Sequence, residues 1–282
     1  MSSPKVKSDQ STQNFPKISI VIPSLNKGRY IGKTLNSIFS QKYKNFEVII
    51  QDGGSSDGTL EIIKKFVRKF PTQIFWESKE DKGQVEAINK GLEKARWEIV
   101  TFINADDVYV KDAFAIVAET FTKNKNCLWV AGRSGLIDKR GSKIDSKFPF
   151  SLVGKYKDIL LSINKLAFLF CVNYLMQPSV FLAREAYTKF GPFTGTRDFV
   201  LEYDLWLKIA KVKMPFVLNK RLAYFRMVEE NISLSNYQTL LKADYRIICK
   251  HAQNPLFKLI HKLNNWGRIV LFTSFKFRLQ GI

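Results

Sequence analysis

Two adjacent carboxylates, Asp106 and Asp107, directly follow an apolar run that ends at Ile103. The run, residues 98–103, is typical of a buried strand, so both carboxylates are expected at a strand end. Two like charges side by side repel each other unless a cation lies there or the chain emerges into water. Hard divalent cations prefer carboxylate oxygens and often take only one or two, with phosphates supplying the rest. The alternative is helix capping, because an Asp at the start of a helix accepts hydrogen bonds from backbone N–H groups.

A second polar loop begins at Asp52, at the predicted end of another strand. Residues 51–59 read Gln-Asp-Gly-Gly-Ser-Ser-Asp-Gly-Thr, and the glycines allow positive φ or a close approach of the backbone to a ligand. Asp52 is placed to accept hydrogen bonds from a base or a ribose. The loop is neither a Walker loop, since no Gly-Lys-Ser/Thr follows, nor a Gly-x-Gly-x-x-Gly fingerprint. A tight turn that caps the next helix is expected in either case.

The elements that carry these loops alternate between strand and helix. Apolar runs predict strands over residues 17–23, 46–50, 73–76 and 98–103. Apolar residues at helical spacing predict helices over 27–40, 59–70, 83–95 and 111–122. Such alternation predicts right-handed crossovers and a mainly parallel sheet, which binds ligands beyond the carboxyl ends of its strands. Four polar loops would meet there, which favours a metal site at Asp106 over simple capping; they are residues 23–26, 52–58, 79–84 and 104–107.

The pattern changes after Cys127. Strands are predicted on both sides of a hairpin turn at 138–141, and one long helix over 152–169. From Tyr237 onward the chain is predicted to be helical and rich in Lys, Arg, Phe and Leu. The other predicted elements are strands at 128–137, 143–148, 179–182 and 218–227 and helices at 184–190 and 204–211.

Composition excludes several classes of protein. The 282 residues are 45% hydrophobic, enough for a substantial core, and three scattered cysteines are too few for a disulfide framework or a zinc cluster. These thiols are expected to be buried in a reducing compartment. No run of about 18 uncharged apolar residues occurs, so no membrane-spanning helix is predicted. The net charge of +20 implies polyanionic surroundings: nucleic acid, anionic lipid or phosphorylated substrates.

The order and spacing of several motifs resemble the inverting family-2 glycosyltransferases, nucleotide-diphospho-sugar transferases of the A-type (GT-A) fold. The strongest are VIPSLN at 21–26, QDGGSSDGT at 51–59, GQVEAINKG at 83–91 and FINADD at 102–107. Weaker likeness continues through QPSVF at 177–181, EYDLWLKIA at 202–210 and LAYFR at 222–226. The resemblance implies an α/β fold with a mainly parallel central sheet flanked by helices.

The resemblance covers residues 17–235 and implies a division of the chain. A nucleotide-binding half is expected over 17–125 and an acceptor half over 126–235. A disordered tail, 1–16, would precede this domain, and a basic helical extension, 236–282, would follow it. The polar N-terminus is not expected to be a signal peptide.

The resemblance also implies a set of site residues. Asn104-Ala-Asp106 stands where the family has its Asp-x-Asp metal signature, so Asp106, with Asp107 beside it, would hold Mn²⁺ or Mg²⁺ against the donor's diphosphate. Asp52 is the candidate for the edge of the base. The implied nucleotide-sugar-binding residues are Pro23, Ser24, Asn26, Asp52, Asp81, Gln84, Asn89, Asn104 and Arg226.

A second acidic pair is the implied catalytic group. Glu202 stands where the family has the Asp that acts as general base, a departure to a longer carboxylate. The chemistry needs such a group, because the acceptor hydroxyl must lose its proton as it attacks the anomeric carbon. Asp204 is the alternative base, and the plainer interpretation makes Glu202 a solvated acid and Asp204 a helix cap.

Another departure follows Arg226, where the family often has Arg-x-His. Here the chain reads Arg226-Met227-Val228, so metal binding would rest on Asp106 and phosphate alone. His251 and His261 lie further along the chain and are expected to be ordinary surface residues.

The C-terminal segment, residues 254–282, mixes basic and aromatic residues and contains no acid. Either it lies in a membrane interface, or it is a packed helix with a solvated basic face.

The sequence therefore predicts a metal-dependent inverting transferase that uses a nucleotide-diphosphate sugar, with UDP favoured, and a glycan or lipid-linked acceptor in polysaccharide biosynthesis. A cytoplasmic location is expected, with peripheral contact at the inner face of the membrane left open. The first rival function is a catalytically silent nucleotide-sugar-binding protein. The second is a basic nucleic-acid-binding module, for which no recognition motif occurs.

Overall fold

The computed structural model describes residues 15–195, 201–228 and 237–279. The expected disordered tail, 1–16, lies almost entirely outside the described residues. One curled, mixed sheet has the strand order β3-β2-β1-β4-β7-β6-β8-β5. The strands are β1 Ile18–Ser24, β2 Phe46–Asp52, β3 Ile74–Ser78, β4 Ile99–Phe102, β5 Val108–Tyr109, β6 Trp129–Ile137, β7 Val180–Ala183 and β8 Phe216–Arg226.

Helices cover both faces of this sheet, which confirms the predicted α/β fold. Strands β1 to β4 pair in parallel, and antiparallel pairing begins where β7 joins β4. The helices are α1 Ile31–Phe39, α2 Thr59–Lys69, α3 Gln84–Glu93, α4 Ala113–Lys123, α5 Phe150–Ile163, α6 Leu166–Cys171, α7 Arg184–Phe190, α8 Glu202–Ala210, α9 Tyr237–His251 and α10 Pro255–Leu279.

The alternating side chains of β1 explain the two layers. Ile20 and Ile22 belong to a cluster with α1, whose buried Leu35 and Ile38 lie on one helical stripe. Val21 points to the opposite face and packs in a second cluster with Ile88 of α3. Because both faces of β1 are buried, its sequence is a continuous apolar run rather than an alternating one.

Two predicted elements in the second half are wrong. The strand predicted at 143–148 is reduced to a single bridge between Ile137 and Lys143. The turn before it is held instead by the side chain of Asp138. One oxygen of Asp138 accepts three backbone N–H groups, those of residues 140–142, each at 2.8 Å. The long helix predicted at 152–169 breaks into α5 and α6 at Asn164, which adopts a positive φ of 49°.

The two C-terminal helices pack against the body of the protein. Ile247 and Ile248 of α9 belong to the core cluster on the α3 face of the sheet. His261 of α10 is fully buried and stacks on Tyr203 with ring centroids 5.8 Å apart, so the prediction of a surface histidine is wrong. Among the described residues, no helix combines the length and apolar character that crossing a bilayer requires.

Candidate active site

The carboxyl ends of β1 and β2 place two predicted donor-site residues side by side. Ser24 and Asp52 are paired partners in the parallel register. The Ser24 hydroxyl is buried and has no hydrogen-bond partner among the described residues, so it is available to a ligand. Pro23 is paired with Gln51 one step earlier along the same strands.

The carboxylate of Asp52 organises the loop that follows it. It accepts hydrogen bonds from the backbone N–H of Ser55 at 2.9 Å and from the hydroxyl of Ser78 at 2.7 Å. Gly54 adopts a φ of 90° within this turn, a conformation that favours glycine. The expected tight turn is present, and binding of a base by Asp52 stays a prediction.

Asn26 and Asp81 fix two neighbouring loops. Asn26 accepts the backbone N–H of Ser56 at 2.9 Å, which ties the loop after β1 to the loop after β2. Asp81 accepts the backbone N–H of Gly83 at 2.8 Å, just before α3. A Cβ atom on Gly53 would lie 3.1 Å from the Asp81 carboxylate, so the glycine lets these two loops approach closely.

The adjacent carboxylates Asp106 and Asp107 have separate partners. Asp106 forms an ion pair with Lys27, with 2.9 Å between the ammonium nitrogen and Oδ2. Asp107 is fully buried and accepts the backbone N–H of Arg226 at 2.8 Å. Burial and the charge of Asp106 raise the pKa of Asp107, and the Arg226 N–H and guanidinium counteract them. The repulsion inferred from the sequence is therefore offset by one positive group on each side.

Arg226 braces this turn from β8. Its Nε donates to the carbonyl of Asp106 at 2.7 Å, and a terminal nitrogen donates to the carbonyl of Asp138 at 2.9 Å. The residue is almost completely buried. Its predicted contact with a phosphate stays a prediction, but its described contacts hold the Asp106–Asp107 turn in place.

Two residues, Asp106 and Asp107, are proposed to bind a metal. Of these two, only Asp106 keeps a carboxylate oxygen that accepts no hydrogen bond from a described residue. No group of three or more His, Cys, Asp or Glu residues clusters for a metal within the described ranges. The Oδ2 atom of Asp106 is taken by Lys27, and its Oδ1 atom accepts no hydrogen bond from a described residue. One carboxylate oxygen is enough for Mg²⁺ or Mn²⁺ when substrate phosphates complete the coordination, so these residues fit such an ion.

A cavity of about 250 Å³ lies beside these strand ends. It brings together three of the residues predicted from the sequence: Gln84, Asn104 and Glu202. Gln84, at the start of α3, donates to the side-chain oxygen of Asn104 at 2.6 Å. The donor-side pair and the candidate base therefore share one cavity.

The cavity also contains polar residues that the sequence analysis missed. Lys157 comes from α5, Asp244 from α9 and Arg268 from α10. Their helices have ordinary amphipathic patterns, and only tertiary packing places these side chains beside Glu202. No short motif marks them. For these three residues, the one signal in the sequence is a charged side chain on an otherwise apolar face of a helix.

These groups shift one another's protonation. Burial raises the pKa of Glu202 to about 7, and the charge of Asp244 adds to this while Lys157 opposes it. Burial likewise raises the pKa of Asp244 to about 6, against the charges of Arg268 and Lys157. Burial and the charge of Arg268 lower the pKa of Lys157 to about 7. A carboxyl group that ionises near neutral pH is suited to act as a general base.

Asp204 has a different environment. It is almost fully buried and lies 2.7 Å from both the Lys208 ammonium and the His251 Nε2 atom. Burial acts to raise its pKa, but hydrogen bonds from Lys208 and His251 outweigh burial and lower the pKa to about 2. Asp204 does not line the cavity, and it joins α8 to α9.

The side chain of Asn89 forms hydrogen bonds with other residues of the protein. Its amide nitrogen donates to the carbonyl of Phe193 at 2.9 Å, and its oxygen accepts the Phe193 N–H at 3.0 Å. The same oxygen accepts the Tyr187 hydroxyl at 3.1 Å. Asn89 thus anchors the segment after α7 to α3, and the described cavity does not include it.

Several known proteins are similar to this chain in sequence. The sequence model described as Glycosyl transferase family 2 matches residues 19–181. An uncharacterized glycosyltransferase of Nostoc sp. is 30% identical over 129 residues, 46% of this chain and 40% of that protein. Chondroitin synthase of Escherichia coli is 25% identical over 239 residues, 84% of this chain and 32% of that protein. The chain thus spans less than half the length of these curated relatives.

Solved structures are similar to the chain at the level of fold. S. aureus TarS 1–349 in complex with UDP-GlcNAc has a TM-score of 0.60 at 17% identity, over 87% of this chain and 70% of that one. Mannosyltransferase PcManGT from Pyrobaculum calidifontis, in complex with GDP-Man and Mn²⁺, has a TM-score of 0.65 at 17% identity, over 90% and 70%. These are GT-A glycosyltransferases. The family match covers more than half of the residues, and the chain belongs to glycosyl transferase family 2.

Proposed function

We propose that this glycosyltransferase is a metal-dependent, inverting enzyme that moves a sugar from a nucleotide-diphosphate sugar to a glycan or lipid-linked acceptor. The observation that carries the proposal is that Glu202 shares its cavity with Gln84 and Asn104. A candidate base for the acceptor and two residues that would bind the donor sugar therefore line one cavity. UDP is the nucleotide favoured from the sequence; of the two solved structures of similar fold, one is a complex with UDP-GlcNAc and the other a complex with GDP-Man.

The donor would lie across the carboxyl ends of β1, β2 and β4. The unpartnered hydroxyl of Ser24 and the loop after Asp52 would hold the nucleoside. Lys27 and Asp106 lie where the diphosphate would reach, and a divalent ion bound at Asp106 would offset charge on the departing diphosphate. Gln84 and Asn104 would orient the transferred sugar towards the acceptor.

Glu202 would take the proton of the attacking hydroxyl. The acceptor oxygen forms a bond to the anomeric carbon while the bond from that carbon to the diphosphate oxygen breaks, and the proton moves to Glu202. The configuration inverts, so an α-linked donor gives a β-linkage. Because burial raises the pKa of Glu202 to about 7, its carboxyl group ionises near neutral pH and can then accept a proton.

Exposed apolar residues on two helices support a lipid-linked acceptor. On α5, Leu152, Tyr156 and Ile159 lie on one exposed stripe, and on α10 Leu259 and Trp266 do the same. Both helices also contribute to the cavity wall. Basic side chains accompany these stripes and would attract anionic headgroups. We therefore propose peripheral contact with the inner, anionic face of a membrane.

Donor binding tests the metal part of this proposal. Asp106→Asn keeps the size of the side chain but removes the charge that would attract a divalent ion. Manganese should strengthen the thermal shift caused by a UDP-sugar with the wild-type protein and with the matched control Asp112→Asn, but not with Asp106→Asn. If Asp106→Asn keeps the full manganese effect, Asp106 is not the metal ligand.

A further inference from the structure

Part of the cavity contains buried polar groups that have no hydrogen-bond partner among the described residues. The hydroxyl of Tyr174 and the side-chain oxygen of Asn173 have no hydrogen-bond partner among the described residues. Asp244 is 6% exposed, lines the same cavity, and its carboxylate makes no hydrogen bond or ion pair with a described residue. Among the described residues, the Lys157 ammonium donates only to the sulfur of Met176, at 3.4 Å.

Such an arrangement is costly in the absence of a ligand. Burying a charged or polar group without a hydrogen-bond partner destabilises a protein, and most buried polar groups in native structures are satisfied. Here several such groups from different elements meet at one cavity: residues 173–174, α5 and α9. The simplest reason for their convergence is a polar ligand that satisfies them together.

The types of group identify the class of ligand. Asp244 and Asn173 offer acceptors, while Lys157 and Tyr174 offer donors, so the cavity provides both. Each hydroxyl of a sugar ring both donates and accepts, and can therefore pair with groups of either kind. A phosphate offers mainly acceptors, and the carboxylates of Asp244 and Glu202 would repel it and so oppose the attraction of Lys157 and Arg268. The cavity of about 250 Å³ is smaller than the usual range of about 300–1,000 Å³ for drug-sized ligands, which suits a single sugar ring.

We propose that residues 173–174, Lys157 and Asp244 form the subsite for the terminal sugar ring of the acceptor. Within it, Asp244 and Lys157 bind ring hydroxyls and hold the attacking hydroxyl beside Glu202. This proposal rests on the proposed function, because it takes Glu202 as the base. Lys157 and residues 173–174 lie within residues 19–181, the part of the chain that matches the family, whereas Asp244 and the helix that carries it lie beyond that part.

Binding of simple glycosides tests the subsite without knowledge of the natural acceptor. Saturation-transfer NMR would be recorded for a panel of neutral methyl pyranosides, with UDP and Mn²⁺ present. At least one should bind to the wild-type protein and to the matched control Asp112→Asn. Asp244→Asn exchanges a charged acceptor for a neutral one and should weaken that binding about fivefold or more. Lys157→Met, which removes a donor, should weaken it as well and gives an independent variant if Asp244→Asn does not fold.

The same samples separate failure of this inference from failure of the proposed function. UDP binding is measured first, and each variant must retain it. If the wild-type protein binds UDP but none of the pyranosides, or if both variants bind the pyranoside as tightly as the wild type, the subsite assignment is overturned while donor binding stands. If the wild-type protein binds no UDP, the proposed function fails, and the acceptor subsite falls with it.

Discussion

Two carboxylates two residues apart on α8 have opposite properties because their surroundings differ. Glu202 faces a cavity that contains another carboxylate, and its pKa is raised. Asp204 lies between two basic side chains, and its pKa is lowered. The sequence alone left the choice of base open between these two. The structure supports Glu202, because Asp204 is already occupied by the protein and its low pKa makes it a weak base.

Asp204→Asn should therefore affect stability more than chemistry. The pKa of Asp204 falls from 3.8 to about 2 on folding, so its contribution to stability is fully present above pH 4 and is lost as the pH falls through 2. The substitution should cost about 2 kcal/mol of unfolding free energy at pH 7, a size that follows from the pKa difference. Chemical denaturation of both proteins at pH 7 measures this. An unchanged midpoint would show that the ion pair with Lys208 and the hydrogen bond with His251 contribute nothing.

Sequence reasoning could predict residues that belong to motifs and could not predict those brought in by packing. Asn104 and Glu202 follow from strand ends and from the resemblance, because their positions along the chain are characteristic. Lys157 and Asp244 lie on helices whose patterns are generic, and only the packing of α5 and α9 around α8 brings them together. The role of Asn89 in anchoring Phe193 likewise depends on a contact between distant parts of the chain.

At the scale of elements, the alternation of strands and helices in the first half was predictable because each apolar run is long and regular. The elements of the second half were less predictable. At the predicted hairpin, the Asp138 carboxylate accepts hydrogen bonds from its own turn, and the second strand does not form. Further on, Asn164 adopts a positive φ, and the predicted long helix ends there and a second helix follows. Strand β5 has only two residues, too few for any periodicity to appear.

Helix α9 carries a carboxylate at a cost to stability. The pKa of Asp244 rises from 3.8 to about 6 on folding, so the ionised form destabilises the fold above pH 6 and the cost disappears below pH 4. Asp244→Asn should raise the unfolding free energy at pH 7.5 by on the order of 2 kcal/mol and change it little at pH 4. Thermal unfolding at the two pH values, with Asp112→Asn as control, measures this. A loss of stability at pH 7.5 would mean that the carboxylate is a structural partner rather than a binding group.

At the scale of the whole molecule, the proposed membrane contact combines charge with exposed apolar surface. The chain carries a net charge of +20, and the exposed apolar stripe of α10 includes Leu259 and Trp266. Each Lys or Arg close to an anionic bilayer contributes about 1 kcal/mol, and salt screens this attraction. His261 of α10 is buried in the core, so the inner face of the helix stabilises the fold, and the proposed lipid contact would use exposed residues such as Leu259 and Trp266.

Sedimentation with liposomes tests the membrane contact. The protein should sediment with anionic vesicles at low salt, sediment less as salt is added, and stay in solution with neutral vesicles. The exposed double variant Leu259→Ser, Trp266→Ser should lose most of this binding, whereas Val212→Ser, an equally exposed apolar position outside α5 and α10, should not. Full-length protein that stays in the supernatant with anionic vesicles at low salt would contradict peripheral attachment.

The measurement that tests the central claim most directly is turnover of the nucleotide sugar by Glu202→Gln, compared with Glu185→Gln on the exposed surface of α7. The donor and metal are first identified by thermal shift, and released nucleotide is then followed across pH. With the wild-type protein, turnover should rise with pH through about 7 and then level off, because Glu202 must be ionised to accept a proton. Glu202→Gln should bind the donor with unchanged affinity, but its turnover should fall by roughly 10²-fold or more. Glu185→Gln should behave as the wild type. Full turnover by Glu202→Gln, with the same pH dependence, would show that the base lies elsewhere.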